Sequence, residues 1–184
     1  LYDGIAAGNP DTGGLCALFQ EANAAILRQH AVPGQEDMKT TAAALSITPG
    51  RAVWGHIGDS RLYRFSGITL VQATCDHSVT YMKYLGGEIT RMDVYHDDDR
   101  PRLLRALGRE PCRPEAAECV PAAGDAFLLC SDGFWEYVYQ EEILADLLKA
   151  ETPEQWAKLM LLRHIRRTPP GNDNFSLISV FVEE

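Results

Sequence analysis

The stretch DAFLLCSDGFWE, Asp125 to Glu136, decides the fold. Its first half is continuously apolar from Ala126 to Cys130, which predicts a strand central in its sheet. Its second half opens with Ser131-Asp132-Gly133, a turn signature, so Asp132 lies where the chain leaves that sheet. Asp173 has the mirrored placement. It sits in Gly171-Asn172-Asp173-Asn174, just before FSLISVFV (175–182), whose alternation reads as a strand, so it marks where the chain enters a sheet. If these two strands are antiparallel neighbours, both carboxylates meet at one sheet edge.

Asp59 occupies a third turn of the same kind, between AVWGHIG (52–58) and RLYRFS (61–66). Any one Asp beside Gly is an ordinary turn residue. Three of them at strand ends are a way to gather an oxygen-ligand site, and hard divalent ions such as Mg²⁺ and Mn²⁺ favour such ligands.

Outward from these turns, Gly14 to His30 carries an apolar stripe (Leu15, Leu18, Phe19, Ala22, Ile26, Leu27) that predicts a helix, closed by Val32-Pro33-Gly34. TAAALSIT (41–48), AVWGHIG and RLYRFS read as hairpin-connected strands, followed by a short strand ITLVQ (68–72). Ser78 to Leu85 and Thr90 to Tyr95 read as short helices with Ser78 and Thr90 as caps. Asp97-Asp98-Asp99 reads as a solvated loop, since it lacks the spacing and Gly of a calcium loop. LLRALG (103–108) and AECVP (117–121) read as further strands. Glu141 to Ala150 and Pro153 to Arg167 read as helices, the second with Thr152 and Pro153 at its start. Its basic end, Arg163, His164, Arg166 and Arg167, suits a helix C-terminus. Strands interrupted by helices without regular alternation give an α+β class built on antiparallel sheets, here one domain over residues 1–184.

Composition narrows the function. A net charge of −9 and a pI near 5.0 give no footprint for nucleic acid and would repel an anionic membrane surface. No apolar run approaches the roughly 20 residues needed to span a bilayer, and the N-terminus lacks the features of a signal peptide, so the chain reads as soluble and cytoplasmic. Five cysteines, odd in number and without a C-x-x-C pair, favour neither a disulfide framework nor a zinc site. The five histidines form no helical i, i+4 pair of the zinc-protease type.

The chain resembles the bacterial form of the protein phosphatase 2C family, the metal-dependent Ser/Thr phosphatases. The resemblance rests on blocks in the family's order: Thr40-Thr41, Gly58-Asp59-Ser60-Arg61 with Leu62-Tyr63-Arg64, Asp76-His77-Ser78, Arg105-Ala106-Leu107-Gly108, Ser131-Asp132-Gly133 and Asp173-Asn174-Phe175-Ser176. It runs from about Glu21 to the C-terminus and implies an αββα sandwich, two antiparallel sheets flanked by helices, with a two-metal site at one end. It assigns Asp132 and Asp173 to a first metal, and Asp59 and Glu136 to a weaker third site. It makes His77 to Leu107 a mobile flap and implies direct hydrolysis of phosphoserine and phosphothreonine by a metal-activated water, without a cysteine nucleophile.

The family's first acidic strand residue, its Asp-Gly-x-Gly-Gly segment and its upstream phosphate-binding Arg have no counterpart here. Asp3-Gly4-Ile5-Ala6-Ala7-Gly8 lacks the glycine pair and reads as a loop. The chain therefore resembles such a domain incomplete at its N-terminus, and sheet edges left open in this way favour dimerisation. The expected cofactor is Mn²⁺ or Mg²⁺, two or three ions in a complete domain, and the expected partner is a phosphoprotein of a Ser/Thr kinase. The competing readings are a non-catalytic phosphatase-like binding module and an unrelated α+β structural protein.

Overall fold

The computed structural model describes residues 1–183. Seven strands form two antiparallel sheets. β1 (Ala42–Thr48), β2 (Arg51–Ile57) and β5 (Glu115–Cys119) make the first, in the order β1-β2-β5. β3 (Arg61–Ser66), β4 (Thr69–Ala73), β6 (Asp125–Cys130) and β7 (Leu177–Phe181) make the second, in the order β4-β3-β6-β7. The apolar run that predicted a central strand is β6, which lies between β3 and β7 with all six residues buried.

Three hydrophobic clusters define four layers. Leu15 and Phe19 of α2 (Thr12–Gln29) pack on Val53 and Ile57 of the first sheet. Ala52, Trp54, Leu62 and Phe127 fill the space between the sheets. On the outer face of the second sheet, Phe65 and Leu128 meet Ile143 of α5 (Gln140–Leu147) and Trp156 and Met160 of α6 (Pro153–Arg167). The result is the expected αββα sandwich, with the near-continuous burial of β2, β3 and β6 explained by a layer on each face.

Local chemistry sets the helix starts. Asp11 Oδ1 accepts from Gly14 N–H at 2.7 Å to open α2. Ser78 Oγ accepts from Tyr81 N–H at 3.2 Å to open α3 (Val79–Leu85), and Thr152 Oγ1 accepts from Gln155 N–H at 3.2 Å to open α6 behind Pro153. α4 (Asp132–Trp135) is a single turn.

Four expectations are corrected. Tyr2–Gly8 is a helix, α1, and not a loop: Gly4 lies so close to Leu18 that a Cβ there would meet Leu18 Cδ2 at 2.4 Å, and Ile5 joins the α2 cluster, so packing on α2 overrides a glycine-rich sequence. Residues 103–108 form no strand. Leu104 N–H donates to His77 O while Leu107 exchanges both backbone bonds with Thr40, so the segment splits its hydrogen bonds between two neighbours and builds no ladder. The predicted helix from Thr90 contracts to one 3₁₀ turn, Asp93–Tyr95, because the Asp93 carboxylate takes up Thr90 N–H (2.8 Å) and Thr90 Oγ1–H (2.7 Å). Asp97 and Asp99 are not simply solvated: Lys83 bridges them at 3.1 and 2.7 Å, and Thr80 donates to Asp97, which ties α3 to this loop.

Candidate metal centre

Strand register brings the three turn carboxylates to one edge of the second sheet. In the β3–β6 pair, Arg61 faces Cys130, so Asp59 and Asp132 each lie two residues beyond a matched pair, on the same side. β6 and β7 are antiparallel neighbours, Cys130 facing Leu177, and the pairing continues past the strands: Ser131 N–H donates to Ser176 O (3.1 Å) and Ser176 N–H to Ser131 Oγ (3.0 Å). The loop of Asp173 is thus drawn onto the loop of Asp132. Gly133 permits the contact, since a Cβ there would meet Asn174 O at 2.3 Å. Each carboxylate is oriented by the residue that follows it, Asp132 Oδ1 accepting from Gly133 N–H (2.8 Å) and Asp173 Oδ1 from Asn174 N–H (2.7 Å).

Negative charge accumulates at this edge. Asp59 is 5% exposed, and its carboxyl is pushed up from 3.8 to about 7 by burial first, then by the negative charges of Asp132 and Asp76. Among the described residues, Asp59, Asp132 and Asp173 enter no ion pair. Arg61 offsets the negative charge around Asp59 only in part. Its guanidinium is held by Asp76 through two bonds (2.8 and 2.7 Å), bonded to Tyr63 Oη and stacked 3.5 Å from the Trp135 ring. Trp135 in turn donates Nε1–H to Asp59 O at 2.9 Å, fixing the turn that carries Asp59.

Glu136 follows Asp132 at i, i+4, its N–H donating to Asp132 O at 3.0 Å, so it shares that helical face. It is already engaged, however: Arg100 Nη2 lies 2.7 Å from Glu136 Oε1. An ion taken up at Glu136 would compete with this guanidinium, whereas Asp59, Asp132 and Asp173 make no salt bridge among the described residues.

A second cluster differs in character. His56, His77 and Glu115 form the only group of three His, Cys, Asp or Glu side chains among the described residues whose ligand atoms all lie within 4.8 Å of one another. Its hydrogen bonds argue against a metal. Gly58 N–H donates to His77 Nδ1 (3.1 Å), so the proton of His77 sits on Nε2 and points to Glu115 Oε1 at 3.2 Å. An ion on Nε2 would leave Nδ1 facing a donor with its own proton restored. Burial and the stacked His56 ring (4.6 Å) push His77 down to about 4, which keeps it neutral. The cluster therefore fastens β2 to the Asp76-His77-Ser78 segment.

Of the residues singled out in the sequence, Asp132, Asp173 and Asp59 thus share one edge, and Glu136 adjoins them in an ion pair. The reading missed Trp135 and Arg100. Trp135 stands inside the opening stretch, and its ring N–H is a signal of a buried partner. Arg100 reaches the site from a distant segment and gives no local signal.

The chain belongs to the protein phosphatase 2C family, whose model matches residues 15–160. It is 34% identical over 159 residues to the serine/threonine protein phosphatase PstP of Mycobacterium tuberculosis, an alignment covering 86% of this chain and 31% of that protein. It is 36% identical over 115 residues to the serine/threonine phosphatase stp of Listeria welshimeri, covering 62% of this chain and 45% of that one. The chain thus spans less than half the length of either relative. The crystal structure of the PstP catalytic domain in complex with two manganese ions superposes with a TM-score of 0.81 at 28% identity, covering 96% of this chain and 74% of that one.

Proposed function

We propose that the protein hydrolyses phosphoserine and phosphothreonine in other proteins, using Mn²⁺ or Mg²⁺ held by Asp132 and Asp173, with Asp59 and Glu136 at an accessory position. The observation that carries this reading is the delivery of Asp59, Asp132 and Asp173 to one sheet edge where, among the described residues, none of the three enters a salt bridge. A divalent ion bound there lowers the pKa of water and neutralises charge on phosphoryl oxygens. The chain's own part is to hold the ligands in place. The β6–β7 pairing draws the Asp173 loop onto the Asp132 loop, Trp135 bonds the Asp59 turn, and Arg100 pairs with Glu136.

The test is Mn²⁺-dependent phosphate release from a phosphothreonine peptide by the protein, D132N and D173N. Loss of release in both variants supports the assignment. Equal release in all three sinks it, and a wild type that binds the peptide without turnover favours the non-catalytic module.

A phosphoprotein made by a Ser/Thr kinase, a cytoplasmic location and a single domain over the whole chain belong to the same reading. So does dimerisation through open sheet edges. β1 and β7 are outer strands of their sheets, and the apolar groove of 520 Å³ between them is lined by Leu45, Ile47, Ile178 and Val180 beneath α1. A monodisperse monomer by light scattering at micromolar concentration removes the dimer from the proposal.

A further inference from the structure

On α6, Trp156, Met160 and His164 follow one another at i, i+4 and form the helix's buried face. Trp156 and Met160 belong to the core under the second sheet. His164 carries the same face one turn further, onto the two loops that bear Asp132 and Asp173. It is 2% exposed, so it does not belong to the basic surface that its neighbours Arg163, Arg166 and Arg167 suggest in the sequence.

Its contacts fall on both loops. His164 Nε2 lies 2.8 Å from Gly133 O, and because a carbonyl only accepts, Nε2 carries the hydrogen. The imidazole stacks on Phe134 (centroids 5.6 Å apart, planes at 6°) and meets Phe175 at a tilt (4.2 Å, 45°), and the two phenylalanines contact each other at 6.3 Å, so the three rings form a triangle. Phe134 lies two residues after Asp132, and Phe175 two residues after Asp173. The peptide of Gly133 thus holds Asp132 Oδ1 through its N–H and His164 through its C=O. The Asn174 peptide, which holds Asp173 Oδ1, leads directly into the ring that His164 contacts.

We infer that His164 is a positioning residue of the metal centre: its bond to Gly133 O and its contact with both Phe134 and Phe175, which also touch each other, fix the spacing of the Asp132 and Asp173 carboxylates. The inference rests on the reading of those two residues as ligands. Partners one step removed from a metal act in this way, by narrowing the orientations open to the ligands before the ion arrives.

Two variants separate the bond from the packing. H164F keeps a ring against Phe134 and Phe175 and removes the donor, whereas H164Q keeps a donor and removes the ring. Each is compared with wild type and D132N by calorimetric titration of Mn²⁺ and by thermal unfolding in EDTA. H164F is expected to lose about tenfold in Mn²⁺ affinity, beyond any change in its unfolding midpoint, and H164Q to recover most of that loss.

Hydrogen exchange of the metal-free proteins gives a readout that a purely structural role would not move. The Gly133 and Asn174 amides are expected to exchange faster in H164F, with β6 and β7 unchanged. Wild-type affinity in H164F while D132N fails to bind overturns the inference. So does H164Q binding no better than H164F, or faster exchange spread evenly over α6 and β7. If D132N binds Mn²⁺ like wild type, the ligand assignment itself fails, and the role of His164 fails with it.

Discussion

Replacing Asp59 by Asn removes the least comfortable charge in the molecule and leaves its shape nearly intact. In the unfolded chain the carboxyl titrates at its ordinary 3.8, and in the fold it is pushed up to about 7. Between those values the native state holds a proton that the unfolded state releases, so stability is fully present below 3.8 and is lost as pH rises to 7. A tenfold shift in proton affinity corresponds to 1.36 kcal/mol, so full ionisation of Asp59 costs the metal-free fold about 4 kcal/mol. Little of this is screened, because the residue is 5% exposed. Urea unfolding in EDTA at pH 4 and pH 8 measures it. Wild type and D59N are expected to be close at pH 4 and to diverge by pH 8, with D59N the more stable by about 2 to 4 kcal/mol. Saturating Mn²⁺ is expected to narrow the gap by stabilising wild type more. Parallel stability curves for the two proteins would refute the claim that burial and neighbouring negative charge outweigh Arg61 at Asp59.

Three further perturbations probe other parts of the account. G133A places a Cβ 2.3 Å from Asn174 O and must separate the Asp132 and Asp173 loops, so calorimetry should show Mn²⁺ binding weakened by at least about tenfold. R163A strips the buried Asp146 of bonds at 2.6 and 2.9 Å, leaving Lys149 at 3.8 Å, and urea unfolding should report a loss of about 3 kcal/mol. R100A frees Glu136 from a guanidinium at 2.7 Å, so a weaker Mn²⁺ step should tighten in R100A and vanish in E136Q, and an unchanged titration in both would remove Glu136 from the site.

The features legible in the sequence are those set by local patterns. The apolar run before Asp132 placed β6 at the centre of a sheet because burial on both faces leaves no alternation. Asp132 and Asp173 could be brought together on paper because antiparallel pairing converts a strand end and a strand start into one edge, and β6 and β7 meet that condition. The residues that organise the site across the fold were not legible. Arg100 reaches Glu136 from another segment, His164 turns inward from a helix end whose neighbours are exposed arginines, and His56 stacks on His77 across 21 positions of chain. Where the reading failed outright, at residues 103–108 and at α1, tertiary partners decided the backbone. Thr40 and His77 divide the bonds of the first segment, and Leu18 supplies the surface on which the second coils.

The most direct test of the central claim is anomalous diffraction from crystals of the protein soaked in Mn²⁺. The account predicts a manganese peak within coordinating distance of the Asp132 and Asp173 carboxylates, and none at His56, His77 and Glu115. A peak at the histidine cluster with no density at the two aspartates would contradict it.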